Sequence, residues 1–466
     1  MTFNLILKGG TSFYEKDGEV ILGKIYIYIK DEKICYISNE DKNLSAENTI
    51  ALDNDRIVVP PFYGTHSHGG GKLIIPCFGR YDFGSDRFCF ERGQIKQNIA
   101  EVLLAHGQTG TGAMHISAMA CDQGCLDALI EESASLVGQR DVKSNSASLA
   151  GMDLEGQFFY PGPNLGVQDR TKLQPPTIEN IQRYLRASHG SLRRVCIGME
   201  WAQEGVDTVA TVSDLQEKGI VVGLGHTCAS EEQIKEAIMN NGRYVWVHAT
   251  NAQTTFNAKT GQFSILEGIG DYLDLAEQRK AAFYAELITD NKHVDVRGAL
   301  WVRSMFGADK IILIDDNAGS TDRSIKRFDI SHGDDEHHIW ACLSKDGQVY
   351  VMEGTDEKKF AGTNITMYGC FINYINFLMN NENGGPIPMF RSPRERHQPL
   401  GFHDAVREAV MASSLNPAIL YRATDFGSIR EGGYADMLVF QVLKDTYPVS
   451  LRLDSTIRNG KLVQQQ

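Results

Sequence analysis

One pattern constrains this chain more than any other. A short apolar run, a polar or histidine-bearing tail and a helical stretch recur through its middle. Eight such runs can be read: IVVPPFYGTHSH, TGTGAMHI, SLAGMDLEG, RRVCIGMEW, GIVVGLGHT, YVWVHATNA, AFYAELITDNKHV and KIILIDDNA. Short apolar runs suit strands buried on both faces, and parallel strands need a crossover between them, usually a helix. Several crossovers carry helix signals. Ser230 opens SEEQIKEAIMNNG with Gln233 placed for a capping box, Ile234, Ala237 and Ile238 on one face, and Gly242 as the stop. QIKQNIAEVLLAHG and TIENIQRYLRASHG end in the same way at Gly107 and Gly190. Eight β/α units predict an α/β fold, a (β/α)8 TIM-like barrel. The alternative, an open doubly wound sheet, lacks a Gly-rich phosphate loop after its first strand.

The termini have a different rhythm. Residues 1–55 read as short strands, with Ile25-Tyr26-Ile27-Tyr28-Ile29 β-branched and aromatic throughout. Residues 425–466 resemble them, which predicts one small β domain built from both ends of the chain around a barrel spanning 56–424. Two insertions interrupt the barrel pattern. Residues 323–358 contain the hairpin HIWACLSKDGQVYVMEG, turning at Lys345-Asp346-Gly347, and residues 380–401 are polar and rich in Pro, Gly and Arg. The length of 466 residues suits a barrel of about 250 plus a second module.

Composition excludes several function classes. A net charge of −13 argues against nucleic-acid binding, which wants clustered Lys and Arg. MTFNLILKGG lacks a signal-peptide pattern, and no apolar run nears the roughly 18 residues of a membrane span. Nine scattered cysteines, with Cys121 and Cys125 the closest pair, give no disulfide framework and fit a reducing cytoplasm. Cys228 reads as a small buried filler.

The chemistry gathers at the ends of the runs. In GTHSHGGG, residues 64–71, alternation along an extended strand projects His66 and His68 to one side, where they can share a metal. Glu155 ends SLAGMDLEG, His226 ends GIVVGLGH, His248 ends YVWVH and Asp316 ends KIILIDD. In a barrel these positions line the C-terminal face, where active sites are built. Any one of them is explained by a hydrogen-bonded loop residue; the set is not. Imidazole and carboxylate donors suit zinc or another borderline divalent ion. With one coordination position open, such an ion lowers the pKa of water toward about 7, and a neighbouring carboxylate can move the proton. Asp316 is the candidate for that role and Asp315 its competitor, since strand alternation turns only one inward. His115 and Glu200 read as supporting or core polar groups.

These segments, with DNKHVD and FAGTNIT, resemble the amidohydrolase superfamily, and within it the N-acetylglucosamine-6-phosphate deacetylases, over most of the chain. The resemblance implies Glu155, His226 and His248 as metal ligands, and His66 and His68 as a pair that admits a second metal. It implies one or two divalent ions, zinc first and iron or manganese as alternatives. It further implies Asn251 and Ala252 as substrate-holding groups, His293 as the histidine that contacts the sugar or polarises the acetyl carbonyl, and Asp316 as the acid/base. The partners implied are an amino-sugar substrate and a second copy of the chain in a homodimer. Two departures stand out. The pattern H-L-E-G-P-F appears as Asp153-Leu154-Glu155-Gly156-Gln157-Phe158, and the phosphate-binding arginine is missing from Phe256-Asn257-Ala258-Lys259-Thr260-Gly261. Lys259 is the point charge in its place, with Arg391, Arg394 or Arg396 as substitutes. Other readings are an N-acyl amino acid deacylase or dihydroorotase-like enzyme, for which no lysine is placed for carboxylation, and a non-catalytic relative, which would have lost ligands.

Overall fold

The computed structural model describes residues 2–71, 80–82, 84, 87–140, 144–251, 256–257, 262–263, 265–318, 328–329, 340–343, 349–353, 357–380 and 398–465. Eight parallel strands form the barrel sheet: Phe62–Gly64, Thr111–Ala118, Ser148–Leu154, Leu192–Cys196, Val221–Leu224, Arg243–Trp246, Ala282–Leu287 and Ile311–Leu313. Each lies beside its sequence neighbour, as helical crossovers dictate. Alternation decides the two faces. Val222, Leu224, Tyr244, Trp246, Ile311 and Leu313 point outward into the helix layer, whereas Val221, Val245 and Ile312 point into the barrel. Both faces are buried, which is why the runs are apolar without a break.

The ladder is continuous from the first strand to the eighth but does not pair those two with each other. The seam is closed at its two ends instead. At the C-terminal ends, His68 N donates to Asn317 O (2.9 Å) and Asp316 N to His66 O (3.1 Å). At the opposite end the helical stretch Phe402–Tyr421 crosses the barrel floor. There Ser414 Oγ donates to Pro61 O at 3.1 Å, and Asn416 Nδ2 reaches Ala308 O and Ile311 O at 2.9 and 2.8 Å.

The second sheet comes from both termini. Its order is Lys461–Gln465, Ser450–Arg458, Met437–Lys444, Ala46–Val59, Phe3–Lys16, Tyr26–Lys30 and Lys33–Ser38, with Glu19–Gly23 on the far side of Phe3–Lys16. The apolar run IVVPPFYG is therefore divided. Ile57, Val58 and Val59 pair with Phe440, Val439 and Leu438 in this sheet, and the barrel strand starts only after Pro60-Pro61, which have no N–H for a ladder. The hairpin is present as Trp340–Leu343 against Val349–Glu353; its turn and most of the insertion at 380–401 lie outside the described residues.

Helix ends show where local signals mislead. Ser230 and Gln233 form both bonds of the capping box, and Gly190 is left-handed as its position predicts. Gly242 is not the stop of its helix, which ends at Ala237, and Asn241 takes the left-handed conformation. Gly107 remains helical, and a Cβ there would meet Asn145 O at 1.9 Å, so glycine serves close approach rather than termination.

Asn416 at the seam yields a prediction. Asn416→Ala strips two buried carbonyls of their donor and should destabilise the chain by about 1–3 kcal/mol per unsatisfied group, read by chemical denaturation.

Candidate metal centre

The four histidines and two carboxylates that the sequence places at five strand ends, His66, His68, Glu155, His226, His248 and Asp316, converge at the C-terminal mouth. Two donor groups result, His66–His68–Asp316 and Glu155–His226–His248, all six side chains buried or nearly so. Glu155 belongs to the second and also faces the first. Its Oε1 lies 3.3 Å from His226 Nε2 and 3.6 Å from His248 Nε2, while its Oε2 faces His68 Nε2 at 3.5 Å. Asp316 Oδ1 is 3.6 Å from His66 Nε2 and 3.4 Å from His68 Nε2.

Hydrogen bonds at the far side of each ring fix which nitrogen faces the centre. His68 Nδ1 donates to Ser117 O at 2.9 Å and His226 Nδ1 to Asn164 O at 2.8 Å; His66 Nδ1 donates to the Glu286 carboxylate at 3.1 Å. A carbonyl or carboxylate oxygen only accepts, so each Nδ1 carries the proton. In the neutral rings the Nε2 lone pairs then point inward, and those of His66 and His68 face each other at 3.3 Å. Whatever sits between them has to be positive, a proton or a metal ion. Glu155 Oε1, buried, has no hydrogen-bond donor among the described residues. The donor set therefore fits divalent metal by its own electrostatics.

Burial opposes charge on His66, but Glu286 outweighs it and raises the imidazole to about 9; Glu286 in turn is held down at about 2, against its own burial, by Arg194 and His66. Glu155 is held well below the carboxylate range because His226 and His248 outweigh its desolvation. Three residues of the centre adopt left-handed backbone, His226 (φ 47°), His248 (φ 30°) and Asp316 (φ 43°). Such conformations cost on the order of 1–3 kcal/mol each and concentrate at functional sites.

Asp315 and Asp316 are separated as alternation requires: Asp316 faces the centre, whereas Asp315 pairs with His106 Nδ1 at 3.3 Å in the core. His115 bonds Tyr63 and lies beside Asp153 inside the barrel, and Glu200 accepts from Cys228 N. The Cys228 thiol is pushed up to about 12 by burial and Glu200, so it is no nucleophile.

A cavity of about 340 Å³ opens beside the donors. His293 and Asn251 line it; Asn251 N donates to His248 O at 2.9 Å, and His293 Nδ1 donates to Asp290 at 2.7 Å with its ring 4.3 Å from that of Phe360. Met119, Val167, Ile288 and Phe360 supply apolar wall. No Arg or Lys is found among the described residues of the lining. Ala252, Lys259, Arg391, Arg394 and Arg396 lie outside the described residues. Sequence reasoning missed Asn164, Gln168 and Glu286. Gln168 Nε2 donates to Glu155 Oε2 at 2.9 Å. Glu286 had a visible signal, a charged residue inside the apolar strand AFYAEL; Asn164 and Gln168 sit in a long loop with none.

Among known proteins, no family model matches the chain. It is 28% identical over 174 residues to an N-acetylglucosamine-6-phosphate deacetylase of Lysinibacillus sphaericus, a stretch that is 37% of this chain and 41% of that enzyme. The match thus spans about two fifths of the relative's length. Solved structures agree over nearly the whole chain. An N-acetyl-D-glucosamine-6-phosphate deacetylase variant of Mycobacterium smegmatis, in complex with N-acetyl-D-glucosamine-6-phosphate, superposes with a TM-score of 0.73 at 19% identity, covering 99% of this chain and all (100%) of that one. The Pasteurella multocida and Thermotoga maritima enzymes give 0.69 and 0.67 at 17% and 16% identity, again covering 99% of this chain and 100% of each of theirs.

Gly166 gives the site's prediction. Its φ is +67° and an added Cβ would lie 2.6 Å from His226 Cε1. Gly166→Ala should therefore displace the His226 ring and weaken zinc binding at the Glu155 group by about 10–100-fold, measured by competition with a chromophoric chelator. In sequence and architecture alike, this chain resembles the N-acetylglucosamine-6-phosphate deacetylases and shares their barrel fold.

Proposed function

We propose that the chain is a metal-dependent amide hydrolase that removes the acetyl group from an N-acetylated amino sugar, N-acetylglucosamine 6-phosphate or a close relative. The observation that carries this reading is the pair of adjacent donor groups at the barrel mouth, with Glu155 of one facing His68 of the other, directly beside a cavity of about 340 Å³. His66, His68 and Asp316 would hold one ion and Glu155, His226 and His248 the other, with zinc the best match to imidazole and carboxylate donors and iron or manganese next. Bound there, a divalent ion acidifies water and polarises a carbonyl.

The chain's own residues do the rest. Asp316, at the edge of the cavity, takes a proton from the attacking water and delivers it to the amide nitrogen as the C–N bond breaks, giving acetate and the free amine. Asp290 orients His293, whose remaining nitrogen faces the cavity for a sugar hydroxyl or, when protonated, the acetyl carbonyl. Asn251, with Ala252 next to it, is proposed to hold the sugar. The apolar wall of Met119, Ile288 and Phe360 suits the acetyl methyl and the sugar face. A 6-phosphate would draw its countercharge from Lys259 or from the arginines at 391, 394 and 396. A homodimer in the cytoplasm is the expected setting.

The test is acetate release from N-acetylhexosamines with and without 6-phosphate, in chelator-treated and zinc-, iron- or manganese-loaded protein. Metal-dependent release that favours the phosphorylated sugar is expected. Equal turnover of both forms would remove the phosphate from the assignment, and no release with any metal would remove the hydrolase. Asp316→Asn should lower kcat by about 10²–10⁴-fold while the Glu155–His226–His248 ion stays bound. Near-normal kcat would put the proton shuttle elsewhere.

A further inference from the structure

Inside the barrel, beneath the metal centre, lies a polar layer that the reaction does not use. Glu286 is wholly buried. Its Oε2 accepts from His66 Nδ1 at 3.1 Å and lies 3.4 Å from His248 N; its Oε1 accepts from Thr65 Oγ1 at 3.4 Å and from Arg194. Arg194, itself wholly buried, reaches Asp153 Oδ2 with its other terminal nitrogen at 2.9 Å. Ser117 Oγ donates to the same Asp153 oxygen at 3.1 Å, and the Ser117 carbonyl accepts from His68 Nδ1. The outward-facing nitrogens of both His66 and His68 are thus anchored in one network.

The charges of that network do not cancel. Two carboxylates, Asp153 and Glu286, face one guanidinium. His115, beside Asp153, is pushed down by its burial and stays neutral, with Nδ1 3.2 Å from Asp153 Oδ1 and Nε2 2.9 Å from the Tyr63 hydroxyl. A net negative charge sealed from water is costly until a positive one sits against it. The place left for it is His66, on the metal side of Glu286.

We propose that Glu286, braced by Arg194 and Asp153, is a positioning residue that governs filling of the His66–His68–Asp316 half of the centre. It locks the His66 ring with Nε2 inward and supplies the uncompensated charge that an ion at that half neutralises. This rests on the two-ion reading above. Glu155 and His226 are oriented by Gln168 and Asn164 instead, and Glu286 meets His248 only at its backbone N–H, so the two halves should respond differently to its loss.

The experiment measures zinc stoichiometry and stepwise affinity in full-length wild-type, Glu286→Gln and Glu286→Asp proteins, with circular dichroism and Tm to verify folding. Wild type should hold two ions. Glu286→Gln removes the charge, and Glu286→Asp keeps it for Arg194 but withdraws it from His66 by one methylene. Each should bind the first ion as wild type does and the second about 10–100-fold more weakly. If Glu286→Gln fails to fold, Glu286→Asp carries the test. A folded variant that binds both ions with wild-type affinity overturns the proposal. Equal weakening of both ions overturns it too, because that is what a merely structural role would give. Wild type holding a single ion overturns the two-ion reading itself, an outcome seen before any variant is compared.

Discussion

The mouth of this barrel is organised by lone pairs that have no business facing one another. Imidazole nitrogens of His66, His68 and His226 are turned inward because the opposite nitrogen of each ring is committed to an acceptor. Carboxylate oxygens of Glu155 and Asp316 join them. In a buried pocket this arrangement is repulsive until positive charge enters, and the surrounding structure is arranged to bear that repulsion. The left-handed backbone at His226, His248 and Asp316 and the placing of Glu155 between His226 and His68 are the local means.

Much of this was legible in the sequence. The eight apolar runs specify a parallel sheet because a strand covered on both faces has no reason to alternate, and the donors stand out because they follow those runs. That only one of Asp315 and Asp316 turns inward follows from strand parity. What escaped was of two kinds. Glu286, Arg194 and Asp153 lie within strands, where charged residues in apolar company were visible but had no assigned partners; only the closed barrel brings three separate strands to one point. Gln168 and Asn164 come from a loop whose path no periodicity encodes, yet they orient Glu155 and His226. The helix stop failed at Gly242, and at Gly107 the helix does end but the glycine serves close packing, since a glycine required for packing reads like one required for a turn.

The comparisons and the geometry speak to different questions. Solved structures at 16% to 20% identity establish the barrel with its terminal sheet, and the chain's own side chains carry the argument for chemistry. The departures lie where they can be interpreted physically. Asp153 replaces a histidine and is answered by Arg194. No Arg or Lys lines the cavity among the described residues, and the stretch in which the pattern's arginine is missing lies largely outside them.

The terminal sheet also sets a timetable. The strand Ala46–Val59 lies between Phe3–Lys16 and Met437–Lys444. Its inner edge therefore waits, during synthesis, until Met437–Lys444 has left the ribosome. At roughly 5–20 residues per second that interval is on the order of tens of seconds. Over that time the apolar end of the strand, Ile57–Val59, has an open edge available to other chains, and the floor helix that ties the first barrel strand to the last is made after all eight barrel strands. Assembly of the nascent chain is thus a late, concerted event, and its yield should depend on what shields that edge while translation proceeds.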